Sequence, residues 1–171
     1  MSAPANERVM PPAASFRATV LVVDDFAEVR EMFAWLLRKA GCQVLMADSA
    51  KQAQHLIGDQ GSIDLLVTDL NMPGMNGMEL ARWFRSRSPL SKMLLVSGSA
   101  CEAEAYLETA PWLPFLDKAD AFAQLVPMVE KLLAETTSRL EGFSRAEIGH
   151  RTSAETKVLR EILERTNNSH S

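Results

Sequence analysis

Short apolar runs alternate with helix-like segments along most of this chain, and this alternation constrains the fold more than any other feature. Five such runs occupy residues 18–23, 42–47, 63–69, 92–97 and 113–117. Continuous apolar runs of this length indicate strands that are buried on both faces. Strands that alternate with helices predict a parallel sheet covered on both sides. Because crossover connections are right-handed, we expect an α/β fold, a flavodoxin-like three-layer sandwich with strand order 2-1-3-4-5.

The segments between the runs predict helices. The first helix has its apolar residues at helical spacing, at Val29, Met32, Phe33, Leu36 and Leu37. Gly41 should end it, and Ser49 with Gln52 forms a possible capping box for the second helix. A third helix is predicted over residues 77–87 with its arginines solvated, and a fourth around residues 101–110. The last helix has an apolar stripe at Phe122, Leu125, Val126, Val129, Leu132 and Leu133.

The periodic pattern divides the chain into three parts. Residues 1–17 are small, polar and proline-containing, which predicts a mobile leader. Residues 18–136 form the predicted globular domain, and residues 137–171 a tail with too few apolar side chains for its own core. A capping box at Thr152 and Glu155 predicts a short amphipathic helix over residues 153–165 of this tail.

Composition excludes several classes of protein. The net charge of −4 argues against a dedicated nucleic-acid binder, which usually has a basic surface. The sequence contains neither an apolar run that could span a bilayer nor a signal peptide, so we expect a cytoplasmic protein that makes no membrane contact. The two cysteines, Cys42 and Cys101, are too few for a disulfide framework or a zinc site, and we expect reduced core thiols.

Acidic residues stand where two of the predicted strands end. Asp24 and Asp25 directly follow the first apolar run, and Asp69 ends the third. In a doubly wound sheet the binding site lies at the carboxyl ends of the strands, so these three carboxylates should converge. Repulsion and lost hydration disfavour such a cluster unless a positive charge is present. An all-oxygen site of this kind suits Mg²⁺.

The remaining polar strand ends suit phosphoryl chemistry. Asp69 stands apart from the acidic pair and can serve as a carboxylate nucleophile that forms an aspartyl phosphate. Phosphoryl transfer chiefly requires alignment and neutralisation of oxygen charge, which Lys118 and the Ser97 hydroxyl can provide. The loop after Asp69, with sequence LNMPGMNG, contains the glycines and proline of a tight turn.

These motifs together resemble the response-regulator receiver domain of two-component signalling, over residues 18–136. The resemblance is carried by the segments VLVVDD, VTDLNMPGMNG, LLVSGSA and PFLDK, which occur in the order and spacing of that family. It implies that Asp69 is the phosphoacceptor and that Mg²⁺ is held by Asp24, Asp25, Asp69 and the backbone carbonyl of Asn71. It also implies that Ser97 is the hydroxyl switch, Phe115 the aromatic switch and Lys118 the phosphate-binding lysine.

The resemblance further implies the partners of such a protein. The phosphoryl donor would be a sensor histidine kinase or a histidine phosphotransfer protein. A downstream protein would bind the face formed by the fourth helix, fifth strand and fifth helix, and a homodimer is possible. The short tail has no room for a DNA-binding output domain, so we expect a stand-alone regulator without direct DNA binding. It would catalyse its own phosphorylation and dephosphorylation but turn over no separate substrate.

One position departs from the family pattern. Family members usually have proline after the conserved lysine, often with a cis bond, whereas Ala119 follows Lys118 here. A cis bond without proline is unfavourable by about 2.5–4 kcal/mol. The bond is therefore either trans, with a shifted loop, or cis and strained, and the reach of Lys118 depends on which.

Two alternative functions stay open. A haloacid-dehalogenase-like phosphatase also uses an aspartate nucleophile, a lysine and an acidic pair. That family places the nucleophile after the first strand and the acidic pair last, which is the reverse of the order found here. A receiver-like interaction module that is not phosphorylated is the second alternative, and it is suggested by Ala119.

Overall fold

A five-stranded parallel sheet organises the chain, with strand order β2-β1-β3-β4-β5, as predicted. The computed structural model describes residues 18–59, 62–99, 104–105 and 108–141. The strands are β1 (Thr19–Val23), β2 (Gln43–Ala47), β3 (Leu65–Asp69), β4 (Lys92–Ser97) and β5 (Phe115–Asp117). The helices are α1 (Ala27–Lys39), α2 (Ala50–Asp59), α3 (Gly77–Arg87) and α4 (Ala121–Glu141).

Two apolar cores lie on opposite faces of the sheet, which makes the domain three layers thick. Alternate residues of β1 divide between them: Leu21 and Val23 join the core under α2 and α3, while Val20 and Val22 join the core under α1 and α4. Phe84 of α3 and Phe33 of α1 are the largest fully buried side chains of the respective cores. Burial on both faces explains why the central strands are continuously apolar.

The ends of the helices follow local sequence signals in part. Gly41, just beyond α1, adopts a φ of +84°, a conformation that favours glycine, as its place at the helix end predicted. The predicted box at the start of α2 is incomplete. The Gln52 N–H donates to Ser49 Oγ at 3.4 Å, but the Gln52 side chain accepts from Asp48 rather than from Ser49.

The start of α3 carries a complete capping box that we did not predict. Asn76 Oδ1 accepts the Glu79 N–H at 2.9 Å, and Glu79 Oε2 accepts the Asn76 N–H at 3.0 Å. The signal was present as Asn-x-x-Glu, since asparagine is among the best N-cap residues. This box fixes the point at which the loop after β3 becomes a helix.

One residue of the apolar stripe that was predicted for the last helix, now α4, does not face the core. Phe122 is 68% exposed, while Ala121, Leu125 and Val129 are buried. Successive helical residues are about 100° apart around the axis, so a core position at Ala121 turns Phe122 outward. The expectation that Phe122 begins the apolar stripe was wrong for this reason.

Several predictions concern residues that the structure does not describe. The leader 1–17, Cys101 and the tail helix over 153–165 all lie outside the described residues, as does most of the predicted helix around 101–110. Helix α4 continues to Glu141, beyond the boundary predicted at residue 136. The division into leader, domain and tail remains a prediction. Cys42 is buried and is not part of a disulfide among the described residues. Within the described residues, no helix has the length and apolar character needed to cross a membrane.

Candidate functional site

The three predicted acidic residues meet at the carboxyl edge of the sheet. Asp69 is the last residue of β3, and Asp24 directly follows β1, the neighbouring strand. Carboxylate oxygens of Asp24, Asp25 and Asp69 all lie within 4.8 Å of one another. Asp24 and Asp69 are buried, with exposed fractions of 1% and 4%, so these charges are shielded from water.

Lys118 supplies the cation that this cluster contains. Its Nζ lies 2.8 Å from Asp24 Oδ2 and 2.8 Å from Asp69 Oδ1, so one ammonium group bridges both buried carboxylates. Its backbone N–H donates to the Ser97 carbonyl oxygen at 2.9 Å, which anchors the residue to the end of β4. Lys118 therefore reaches the site from the end of β5, as the sequence predicted.

The conformation of the Lys118–Ala119 bond bears on whether Lys118 reaches the site. The described part of the chain contains no cis peptide bond, so the Lys118–Ala119 bond is trans. The Ala119 N–H donates to Asp117 Oδ1 at 2.8 Å, and this hydrogen bond holds the turn in place of a proline ring. The trans bond does not prevent Lys118 from contacting both carboxylates.

Backbone groups also hold Asp24. Its Oδ1 accepts the Phe26 N–H at 2.9 Å, and its own N–H donates to the Ala47 carbonyl oxygen at 3.2 Å. The Phe26 ring is largely exposed, and its centroid lies 5.9 Å from Lys118 Nζ. Asp24 is thus oriented with one oxygen toward α1 and the other toward Lys118.

The donor set fits a divalent cation. Asp25 Oδ1 is buried, and it has no hydrogen-bond partner among the described residues. A buried carboxylate oxygen without a partner is unfavourable unless an ion or water satisfies it. Asp24 Oδ2 also lacks a well-directed hydrogen bond, but its 2.8 Å separation from Lys118 Nζ still gives a strong attraction, because Coulomb energy depends on distance. Carboxylate oxygens are the ligands that Mg²⁺ prefers.

The pKa shifts of Asp69 and Lys118 reflect burial first and the neighbouring charges second. Burial raises the pKa of Asp69, and the nearby Asp24 and Asp25 raise it further, while Lys118 lowers it without cancelling the rise. Burial would lower the pKa of Lys118, but its hydrogen bonds and ion pairs with Asp24 and Asp69 outweigh this and raise it. One charged lysine does not balance three carboxylates, so a further cation would stabilise the cluster.

Gly77 packs against the backbone of Asp69. A Cβ at position 77 would lie 1.9 Å from the Asp69 carbonyl oxygen and 2.8 Å from its carbonyl carbon. The Gly77 N–H donates to the Leu70 carbonyl oxygen at 2.9 Å, which draws the start of α3 onto the end of β3. The sequence suggested only that Gly77 shapes a turn, whereas the structure gives it a specific contact with the backbone of Asp69.

Replacing Gly77 with alanine should therefore destabilise the domain. No side-chain rotation relieves an overlap between Cβ and a backbone oxygen, so we expect Gly77→Ala to lower the free energy of unfolding by about 3 kcal/mol. Denaturant unfolding measures this value. Gly58→Ala is the matched control, because a Cβ at Gly58 in α2 would meet nothing within 4 Å and alanine favours a helix. Equal stability of the two variants would refute the role of Gly77.

The other predicted residues lie around this centre. Ser97 is fully buried at the end of β4, next to β3, and its Oγ accepts the Ser99 N–H at 3.1 Å. Phe115 begins β5 and is half-buried against the core under α2 and α3. Asn71 is exposed in the loop two residues after Asp69. The structure thus brings Asp24, Asp25, Asp69 and Lys118 together directly, with Ser97 on the adjoining strand end.

The fold and the site define a flavodoxin-like α/β domain with an acidic, lysine-containing centre at the carboxyl edge of its sheet. The family model of the response regulator receiver domain matches residues 20–130 of this chain. The chain belongs to the response regulator receiver family. This assignment agrees with the order of the acidic motifs and gives no support to the haloacid-dehalogenase-like alternative.

The chain is also similar to solved structures of response regulators. A response regulator receiver protein from Pseudomonas putida is 32% identical, with a TM-score of 0.61, and the match covers 67% of this chain and 97% of that one. The response regulator TrrA from Thermotoga maritima, solved in complex with Mg²⁺-BeF, is 27% identical, with a TM-score of 0.59 and coverage of 67% and 98%. In both cases the similarity spans nearly the whole of the solved protein.

Curated relatives match over shorter regions. The phosphate regulon transcriptional regulatory protein PhoB of Pseudomonas aeruginosa is 45% identical over 64 residues, which cover 37% of this chain and 28% of PhoB. The rice two-component response regulator ORR11 is 36% identical over 77 residues, which cover 45% of this chain and 52% of that protein. The chain thus spans about half or less of these curated relatives.

Proposed function

We propose that this chain is a stand-alone response regulator that accepts a phosphoryl group on Asp69. The donor is the phosphohistidine of a sensor histidine kinase or a histidine phosphotransfer protein, and the reaction depends on Mg²⁺. The observation that carries the proposal is the contact of one lysine with two buried carboxylates, Asp24 and Asp69, beside an Asp25 oxygen that has no hydrogen-bond partner in the described part of the chain. The protein acts on itself and turns over no separate substrate.

The chemistry follows from the position of Asp69. A carboxylate oxygen of Asp69 attacks the phosphorus of the donor, a P–O bond forms, and the P–N bond to the donor histidine breaks with its electrons going to the ring. The ion pair with Lys118 favours the charged form of Asp69, which is the form that attacks. Lys118, now shared by Asp24 and Asp69, is placed to donate to an oxygen of the transferred group.

The site residues would also hold the metal. Asp24, Asp25, Asp69 and the backbone carbonyl of Asn71 are the proposed ligands of Mg²⁺. When bound, the ion supplies positive charge that neutralises the phosphoryl oxygens. The support is the all-oxygen donor set of this chain together with the Mg²⁺-BeF complex of TrrA, a relative of the same fold.

Phosphorylation would act through Ser97 and Phe115. The Ser97 hydroxyl would turn toward the new phosphoryl oxygens, and Phe115, now half-buried, would move inward.

A downstream protein would bind the face formed by residues 101–110, β5 and α4, in the cytoplasm and without direct DNA binding. We further propose that the tail after residue 137 serves self-association or partner binding.

Intact mass measurement tests the proposed function most directly. Incubation with Mg²⁺ and acetyl phosphate should add the mass of one phosphoryl group, and the gain should disappear when the metal is chelated. A protein that stays unmodified with both acetyl phosphate and phosphorylated histidine donors would instead be the non-phosphorylated interaction module.

The metal proposal has its own test. Saturating Mg²⁺ should raise the unfolding temperature, since a ligand at a hundred times its dissociation constant stabilises by about 2.7 kcal/mol. Asp25→Ala should abolish most of this rise because it removes the unpartnered buried oxygen. Asp59→Ala is the control, an exposed acid at the far end of α2, and it should respond as the wild type does. The same rise in the Asp25 variant and the wild type would exclude Asp25 as a ligand.

A further inference from the structure

Arg30, in the first turns of α1, contacts the acidic site through the backbone. Its Nη1 donates to the Asp24 carbonyl oxygen at 2.6 Å. Its own N–H donates to the Phe26 carbonyl oxygen at 3.0 Å, as the first hydrogen bond of the helix. The side chain is half-buried, and its short charge-assisted hydrogen bond belongs to the stronger class.

The carbonyl that Arg30 binds belongs to the peptide that joins Asp24 to Asp25. Strand β1 ends at Val23, and the Asp24 N–H still donates to β2, at Ala47. The Asp24–Asp25 peptide is therefore the point at which the chain leaves the sheet. A peptide unit is planar, so holding its carbonyl oxygen also fixes the N–H of Asp25 and the direction in which that residue projects.

Asp25 needs such a restraint. Its Oδ1 is buried without a hydrogen-bond partner among the described residues, and it lies in a cluster with Asp24 and Asp69. Repulsion and lost hydration both favour a rotation that returns this carboxylate to water. The Phe26 N–H, which donates to Asp24 Oδ1, closes a turn across Asp25 and restrains this segment in part, and the hydrogen bond from Arg30 holds the Asp24 carbonyl oxygen within that turn.

We propose that Arg30 is a positioning residue of the metal site, which locks the Asp24–Asp25 peptide so that Asp25 faces Asp24 and Asp69. The inference rests on the proposed function, in which these three carboxylates bind Mg²⁺. A site whose ligands are already oriented binds its ion more tightly, because less conformational freedom is lost on binding.

Positioning and simple electrostatics predict opposite results. Arg30 carries a positive charge near the carboxylates, so if charge alone mattered, its removal would strengthen Mg²⁺ binding. If Arg30 instead orients Asp25, its removal weakens Mg²⁺ binding, as loss of residues that orient metal ligands typically does. The direction of the change in affinity therefore distinguishes the two roles.

The experiment measures the Mg²⁺ dissociation constant of the full chain by isothermal titration calorimetry, without any phosphodonor. Arg30→Gln should weaken binding on the order of tenfold. Arg30→Lys keeps the charge but loses the planar fork, so it should also weaken binding, by a smaller factor. Arg38→Gln is the matched control, because it removes the same charge from α1 two turns further along the helix. This variant should bind Mg²⁺ as tightly as the wild type does.

A second measurement reports on the peptide itself. The backbone amide signals of Asp25 and Phe26 in the metal-free protein should shift or broaden in Arg30→Gln and stay unchanged in Arg38→Gln. Mg²⁺ binding by Arg30→Gln as tight as that of the wild type, or tighter, would overturn the positioning role while leaving the proposed function intact. A wild type that binds no Mg²⁺ would overturn both.

Discussion

Asp69→Asn should reduce phosphoryl uptake to the background level. The amide has nearly the same shape as the carboxylate but is a poor nucleophile, so the acyl phosphate cannot form. Intact mass after incubation with Mg²⁺ and acetyl phosphate measures the result, and the wild type and Asp59→Asn, which alters an exposed acid of α2, should each gain one phosphoryl group. Uptake by Asp69→Asn at wild-type stoichiometry would show that another residue is the phosphoacceptor.

The same variant should remain folded and lose none of its stability at neutral pH. Because the pKa of Asp69 is raised in the folded protein, the folded chain holds this proton more tightly than the unfolded chain does. Stability from the protonated form is fully present below the unfolded pKa and is lost as pH rises through the folded pKa. Wild-type Asp69 is therefore unfavourable at neutral pH. The neutral amide removes that penalty, and Lys118 keeps Asp24 as its charged partner.

The sequence was sufficient to predict the sheet and the centre of the site. Strand order followed from apolar runs that alternate with helices, and Asp24, Asp69 and Lys118 were placed correctly because each stands at a strand end. Parallel strands bring their carboxyl ends to one edge, so positions along the chain translate directly into proximity. The family resemblance added roles for these residues, which remain proposals.

Contacts between distant segments could not be predicted in this way. The arginines of α3 were expected to form a solvated face, yet Arg85 stacks over Trp112 at 4.2 Å and Arg82 Nη2 donates to Thr109 Oγ1 at 3.0 Å. They are exposed but not free, because the segment before β5 packs beside α3. Helical periodicity identifies which residues share a face of a helix, but it does not identify the segment that will cover that face.

Lys118→Met should strongly destabilise the metal-free protein. The change leaves Asp24 and Asp69 buried without the cation that lies 2.8 Å from each. Removing one partner of a buried ion pair typically lowers the free energy of unfolding by about 3–5 kcal/mol, and we expect about 3 kcal/mol because the Lys118 side chain is still 21% exposed. Denaturant unfolding with a metal chelator present measures the loss.

Lys92→Met is the matched control for this substitution. The Lys92 side chain is 23% exposed, close to the value for Lys118, but its partner Glu135 is 51% exposed and lies 3.9 Å away. Surface ion pairs contribute about 0–1 kcal/mol, so the control should lose little. A loss of equal size in the two variants would mean that the lysine stem, and not its charge, stabilises the site.

The pH dependence of the Lys118→Met deficit identifies its cause. The pKa of Lys118 is raised from its usual 10.5, so the contribution of this lysine is fully present below that value and is lost only as pH rises through the higher folded pKa. Across the neutral and acidic range the lysine stays charged, and the difference between wild type and variant must come from the carboxylates. Without Lys118 the pKa of Asp69 should rise further, since the lysine is what lowers it. The deficit should therefore shrink as pH falls from neutral and Asp69 takes up a proton.

Adding Mg²⁺ at neutral pH should also recover part of the lost stability, because the ion replaces the missing positive charge. A deficit that stays constant with both pH and Mg²⁺ would show that the three carboxylates do not share one electrostatic site.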